Sequence, residues 1–236
     1  MELQTYFSPF LTVRCIKAHS LYYLESNFKV WNFLNKPTNI YYSLANLNNM
    51  PVFTFDITKR KEEMNLFTNN FLDYVIDVDI GFDFDSHDFT FNQCYNDTKR
   101  FKELLDKYKI PYSLRFSGSG FHINIEGKYM PSKSVGGINS MLDFYKQIAY
   151  EMSDLLNLPT LDKSIYDIRR IWKLPYSIDY KTDLVCLPLD DKEFENFNKD
   201  YCKPENVLKL KIRDRGLLTR PGNTDNVIKL IGDLID

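Results

Sequence analysis

Residues 74–85 read YVIDVDIGFDFD, an apolar run carrying four aspartates, each separated from the next by at least one other residue. It predicts the strongest strand of the chain. Side chains alternate between the faces of a strand. Tyr74, Ile76, Val78 and Ile80 then share one face, a continuous apolar set suited to a core, and Val75, Asp77, Asp79 and Gly81 share the other. Asp77 and Asp79 are expected side by side on a rigid element, about 6–7 Å apart at their backbones. Two carboxylates at that spacing repel unless positive charge lies between them, a need that hard divalent cations meet. An isolated pair of this kind also fits a solvated face or a loop cap. Asp83 and Asp85 keep the same parity, but Gly81 and the following Ser86-His87-Asp88 predict the end of the strand, which places them in a loop.

The rest of the 236 residues bounds the class. With 44% hydrophobic and 26% charged residues the composition is globular, enough for one large domain or two small ones sharing a core. Aromatics reach 15%, mostly Tyr and Phe, which suits both packing and stacking on flat ligands. A net charge of −2 supplies no global positive field for nucleic acid, although a local basic groove stays compatible with one. Cys15, Cys94, Cys186 and Cys202 form no close pair, so no structural zinc is expected and the thiols should be reduced. Without a signal peptide or an apolar run near 18 residues, the expected location is the cytoplasm, with no membrane partner.

Pattern along the chain predicts a helix within 19–35, a strand running into a loop at 39–47 and a strand at 51–57, followed by the charged stretch 58–63. The strand at 71–82 comes next. Apolar residues at 101, 104, 105 and 108 predict an amphipathic helix over 97–110, stopped by Pro111. Residues 112–127 read as strand, Gly-rich turn and strand, 139–158 as a second amphipathic helix ended by Pro159, and 168–180 as strand-like with a break at Pro175. Strands and helices alternate without the spacing of a doubly wound sheet, so a mixed-sheet α/β or α+β domain is expected.

Two further segments carry chemistry. In FSGSGFHINI (116–125), Gly118 and Gly120 between serines make a turn whose backbone N–H groups can approach phosphate. Phe121, Ile123 and Ile125 then point one way and His122, Asn124 and Glu126 the other. A purely structural hairpin fits this stretch as well. In LDKSIYDIRRIWKLPYSIDYKT (161–182), Asp162 follows a helix and a proline, and Arg169, Arg170, Lys173 and Lys181 cluster among Ile171, Trp172 and Tyr176. Basic residues on an apolar strand-like stretch suggest phosphate contact.

The order of carboxylate pair, Ser-Gly…His turn, and lone Asp followed by basic residues resembles the archaeo-eukaryotic primase superfamily, the primase-polymerases. The motifs are Asp77-Val78-Asp79, Ser117-Gly118-Ser119-Gly120-Phe121-His122 and Leu161-Asp162. RRIWKLPYSIDYKT is similar to the basic, proline and serine run after the third motif, and NIYYSLAN to the tyrosine-serine strand before the core. The likeness spans about residues 39–185.

It implies one catalytic domain over 1–236, a split αβ unit (1–70) plus an RRM-like βαββαβ core with a mixed or antiparallel sheet (71–190), then a C-terminal part (191–236). It further implies Asp77, Asp79 and Asp162 as catalytic ligands of two Mg²⁺ or Mn²⁺ ions. Ser117, Gly118, Ser119, His122, Arg170 and Lys173 would bind nucleotide. The implied partners are a single-stranded DNA template, NTPs or dNTPs, and a helicase or large primase subunit at the replicating nucleoid. The sequence departs from the pattern at Ser119-Gly120, where members often carry Arg or Lys, and at Asp179, where His or Asn is common. The activity implied is template-directed synthesis or extension of primers. A nuclease, an end-joining, gap-filling repair polymerase, and an inactive nucleotide-binding subunit are the alternatives.

Overall fold

The computed structural model describes residues 15–18, 21–24, 40–47, 57–130, 137–207, 209–210 and 222–235. In chain order its strands are β1 (Cys15–Ala18), β2 (Leu21–Leu24), β3 (Ile40–Ser43), β4 (Ala45–Leu47), β5 (Val75–Val78), β6 (Ile80–Phe84), β7 (Ser113–Phe116), β8 (Phe121–Ile125), β9 (Ile171–Lys173) and β10 (Leu187–Pro188). The longer helices are α1 (Ile57–Asn69), α2 (Phe91–Lys107), α3 (Gly137–Leu156) and α4 (Thr224–Ile235). One sheet has the order β2-β1-β3-β9, a second β10-β7-β8-β6, and β4 pairs with β5 alone; every pairing is antiparallel.

Apolar alternation builds the second sheet. Ile80, Phe82 and Phe84 of β6 are fully buried on one face, where Phe82 and Phe84 meet Phe101 of α2 with ring centroids 4.5 and 5.4 Å apart. Thr90 caps α2 by accepting from the Gln93 N–H at 3.2 Å, so this helix starts six residues before the span its apolar spacing marks. Phe84 also forms an antiparallel bridge with Leu161, beyond α3. Counting that bridge as a strand, β6-α2-β7-β8-α3-Leu161 is a βαββαβ unit with spatial order Leu161, β6, β8, β7, and β10 extends its far edge. This mixed helix and antiparallel-sheet architecture is the expected class. Buried apolar residues from Ile40 to Ile231 form one continuous core. No helix among the described residues is long and apolar enough to cross a membrane.

The opposite face of this sheet carries Gly81, Asp83, Arg115, His122 and Asn124, and the first sheet covers part of it. Trp172 of β9, paired across the sheet with Tyr42, reaches over Gly81, Arg115 and His122. A Cβ at Gly81 would lie 2.2 Å from the Trp172 ring, so only glycine lets the two sheets close.

Several local expectations are corrected. Within 19–35, Leu21–Leu24 is a strand, because it finds β1 as a partner; the remainder of that span lies outside the described residues. Residues 51–56 also lie outside them, while Ile57 and the charged stretch belong to α1. The span 71–82 is not one strand. A 3-10 turn (Phe71–Tyr74) precedes β5, which bulges against β4 and gives way at Asp79 to β6 in another sheet. Of 168–180 only Ile171–Lys173 is a regular strand. Gly81→Ala is expected to destabilise the fold by about 1–3 kcal/mol through overpacking against Trp172, measured as a lowered urea midpoint.

Candidate active site

Antiparallel register assembles the site. Arg115 of β7 lies opposite His122 of β8, and His122 opposite Asp83 of β6. On the other side of β6, the Asp162 N–H donates to the Asp83 carbonyl at 2.8 Å and the Asp85 N–H to the Thr160 carbonyl at 2.9 Å, flanking the Phe84–Leu161 bridge. Phe84 and Leu161 point to the core, so Asp83, Asp85 and Asp162 share the opposite face. A row Arg115, His122, Asp83, Asp162 therefore crosses four neighbouring segments.

His122 and Asp83 of this row line a cavity of about 200 Å³ whose wall also includes Asp85, Ser117, Arg170 and Lys173. Ser119 and Tyr41 complete its polar rim. The Ser117–Gly120 turn is tight: the Ser117 N–H donates to the Gly120 carbonyl at 2.9 Å, and the Gly120 N–H to Ser117 Oγ at 3.2 Å. Gly118 takes φ +111°, and a Cβ at Gly120 would sit 2.0 Å from the Phe84 carbonyl oxygen, so both positions require glycine. Of the expected nucleotide contacts, Ser117, Ser119, His122, Arg170 and Lys173 all line the cavity, and Gly118 lies behind its turn against Asp179.

Asp77 and Asp79 stand elsewhere, which corrects the expectation that they face Asp162 and His122. Asp79 is 2% exposed and accepts from Asn124 Nδ2 at 3.0 Å, the Gly127 N–H at 2.9 Å and Asn46 Nδ2 at 3.3 Å. Asn46 Nδ2 also donates to Asp77. This network ties β4, β5 and β8 together at the junction of two sheets. Two strand repeats separate Asp79 from Asp83, about 13 Å of backbone, and Trp172 occupies the space above Gly81 between them. Asp83 and Asp85, expected in a loop, stay on the sheet because β6 runs on through Phe84 and Asp85 bonds to Thr160. The glycine that suggests a strand end answers instead to Trp172.

Each site carboxylate has a partner within the protein. His122 Nε2 lies 3.4 Å from Asp83, His87 Nε2 3.2 Å from Asp85, and Arg170 3.6 Å from Asp162, which also accepts from the N–H and hydroxyl of Ser164. Among the described residues no three His, Cys, Asp or Glu side chains are gathered as a ready metal cluster. The donor chemistry nonetheless suits a hard cation: three carboxylates lie on one face, and two buried polar atoms nearby, His122 Nδ1 and Tyr166 Oη, have no hydrogen-bond partner. Tyr166, which the sequence pattern does not mark, sits close enough to Asp83 and Asp162 that burial and both carboxylates push its hydroxyl well above the usual tyrosine range.

Burial favours a neutral Asp83, but His122, Arg170 and Lys173 outweigh it and hold the carboxyl below the usual range. Burial pushes His122 below the ordinary histidine value, and Arg115 and Lys173 add to it against the pull of Asp83. For Asp179, burial is again outweighed, by its hydrogen bond to Lys173 and the adjacent Thr182, and the group is ionised.

No family model matches the chain. Among solved structures it is similar to the polymerase domain from Mycobacterium tuberculosis Ligase D in complex with DNA, at 13% identity and a TM-score of 0.47, over 96% of this chain and 72% of that one.

Asp79→Ala strands the Asn46 and Asn124 amides and the Gly127 N–H, and is expected to cost about 3 kcal/mol by urea unfolding, more than Asp83→Ala. Below pH about 6.5 the unfolded chain takes up a proton that buried His122 refuses, so stability falls with falling pH. His122→Gln is expected to flatten the decline in Tm between about pH 6.5 and about pH 5, measured by thermal denaturation of metal-free protein.

Proposed function

We propose that the chain is a template-directed nucleotidyltransferase of the primase-polymerase kind, making or extending primers on single-stranded DNA, with Asp83, Asp85 and Asp162 as the metal-binding carboxylates. The observation that carries this reading is one cavity lined by Asp83 and Asp85 together with Ser117, Ser119, His122, Arg170 and Lys173, with Asp162 on the same face next to Asp83. The motif order read from the sequence is kept, and the carboxylate pair moves from Asp77-Val78-Asp79 to Asp83-Phe84-Asp85.

Asp83, Asp85 and Asp162 would hold Mg²⁺ or Mn²⁺, which when bound supplies charge neutralisation and a lowered pKa for an attacking hydroxyl. The protein's own groups do the rest. Arg170 and Lys173 bring positive charge to phosphate oxygens, and the glycine turn allows close backbone approach. His122, set beside Asp83 through one ring nitrogen, contributes a polar contact. Arg115 is a support, not a phosphate ligand: the residue is 3% exposed, and its guanidinium lies 5.1 Å from the ring centres of both Tyr42 and Trp172 and donates to the Tyr42 hydroxyl at 2.5 Å. It thereby locks β7 to β3 and β9 under the site. Both ribonucleotides and deoxyribonucleotides are expected substrates.

The test mixes purified protein with single-stranded template, labelled nucleotides and Mg²⁺ or Mn²⁺. Product is expected from the wild type. Asp83→Ala or Asp162→Ala should slow it about a thousandfold, or about 4 kcal/mol of lost transition-state stabilisation, whereas folded Asp77→Ala should retain most activity. Equal product from Asp83→Ala and wild type would sink the carboxylate assignment.

A further inference from the structure

Lys173 brings one of the two cationic side chains on the cavity wall, yet its ammonium is already engaged. Nζ donates to Asp179 Oδ1 at 2.5 Å, and the two side chains are only 13% and 9% exposed. The other Asp179 oxygen accepts from Thr182 Oγ1 at 2.9 Å, and the backbone of Asp179 is pinned in a turn by its N–H to Leu184 and by Asp183 N–H to its carbonyl, both 2.8 Å. A Cβ on Gly118 would meet Asp179 Cβ at 2.7 Å, so the ion pair rests directly against the Ser117–Gly120 turn. Here the carboxylate holds the cation in place and cancels its charge.

The surrounding balance gives that cancellation a consequence. Asp83 and Asp85 line the cavity, Asp162 and Asp179 hold the two lining cations Arg170 and Lys173 from behind, and Arg115 lies buried beneath Trp172, so four carboxylates face three cations. A polyphosphate entering alone meets an excess of negative charge in a partly desolvated space, where such repulsion is poorly screened. Two divalent cations reverse the sign. Resting on the nucleotidyltransferase reading above, we propose that Asp179 is a positioning and selectivity residue: by holding Lys173 against the turn, it makes polyphosphate binding conditional on prior or simultaneous binding of divalent cations. Cation and polyphosphate then bind with mutual positive coupling, each raising the other's affinity by the same factor.

The probe is inorganic tripolyphosphate, titrated calorimetrically into the full chain in EDTA or in Ca²⁺. Wild-type protein is expected to bind it in Ca²⁺ and about tenfold or more weakly in EDTA. Asp179→Asn preserves the shape of the side chain and its acceptor for Thr182 but releases Lys173, so binding in EDTA should tighten about tenfold while binding in Ca²⁺ changes much less. The gain should vanish in the Asp179→Asn, Lys173→Ala double variant. Equal wild-type affinity in EDTA and Ca²⁺ would overturn the proposal without recourse to any variant. So would an Asp179→Asn protein of native Tm with no gain in EDTA, or a gain that survives loss of Lys173. A wild type that binds tripolyphosphate under neither condition removes the nucleotide reading itself, a result distinct from cation-independent binding.

Discussion

The burial of Phe82 and Phe84 fixes everything that happens on the other face of β6. Both rings are fully buried against Phe101, and each contributes about 1.5–3 kcal/mol through burial. A slip of one residue would turn them to the polar side and bring Gly81 and Asp83 into the core, so the register has little freedom. Asp83 is thereby aimed at the cavity, and because β8 and the Leu161 segment pair with β6 on either side, His122 and Asp162 are aligned with it. The polar row is thus a by-product of aromatic packing one layer below.

The second constraint is the closure of the first sheet over that polar face. Two sheets can approach here only because Gly81 leaves room for Trp172, and because Arg115 is sandwiched between the rings of Tyr42 and Trp172. The contact also delivers the cations: Arg170 and Lys173 flank Trp172 in sequence, so docking of the indole brings both to the cavity. Charge at the site is finely offset by this arrangement, with Arg170 on Asp162 and Lys173 on Asp179. Under the proposed function, an entering polyanion competes with these existing pairs.

Much of this was legible in the chain. The amphipathic helix around Phe101 and Leu105 and the strand-turn-strand around Gly118 and Gly120 follow from pattern, and the family resemblance adds the expectation that His122, Arg170 and Lys173, which share one cavity, belong together. The choice between Asp77-Val78-Asp79 and Asp83-Phe84-Asp85 did not. Both pairs satisfy the same two-residue period; the motif order with His122 and Asp162 favours the first, and so does a strand end marked by Ser86-His87-Asp88 and by Gly81. Its real reason is a tryptophan 91 positions later. The Asp77 and Asp79 pair answers to Asn46, Asn124 and Gly127, again distant partners. Tyr166 carries no local signal at all, since its relation to Asp83 and Asp162 exists only after the loop beyond Leu161 has folded over them.

The sequence by itself determined the amphipathic helices and the strand-turn-strand around Gly118 and Gly120, which residue types are available, and the order in which they occur, because these depend on periodicity and local backbone preference. Tertiary structure decided which of two equivalent carboxylate pairs is structural and which borders the cavity. It also decided that Asp179 restrains Lys173. Both outcomes depend on contacts between side chains that no local periodicity encodes: an indole against a glycine for the first, an ammonium against a carboxylate for the second.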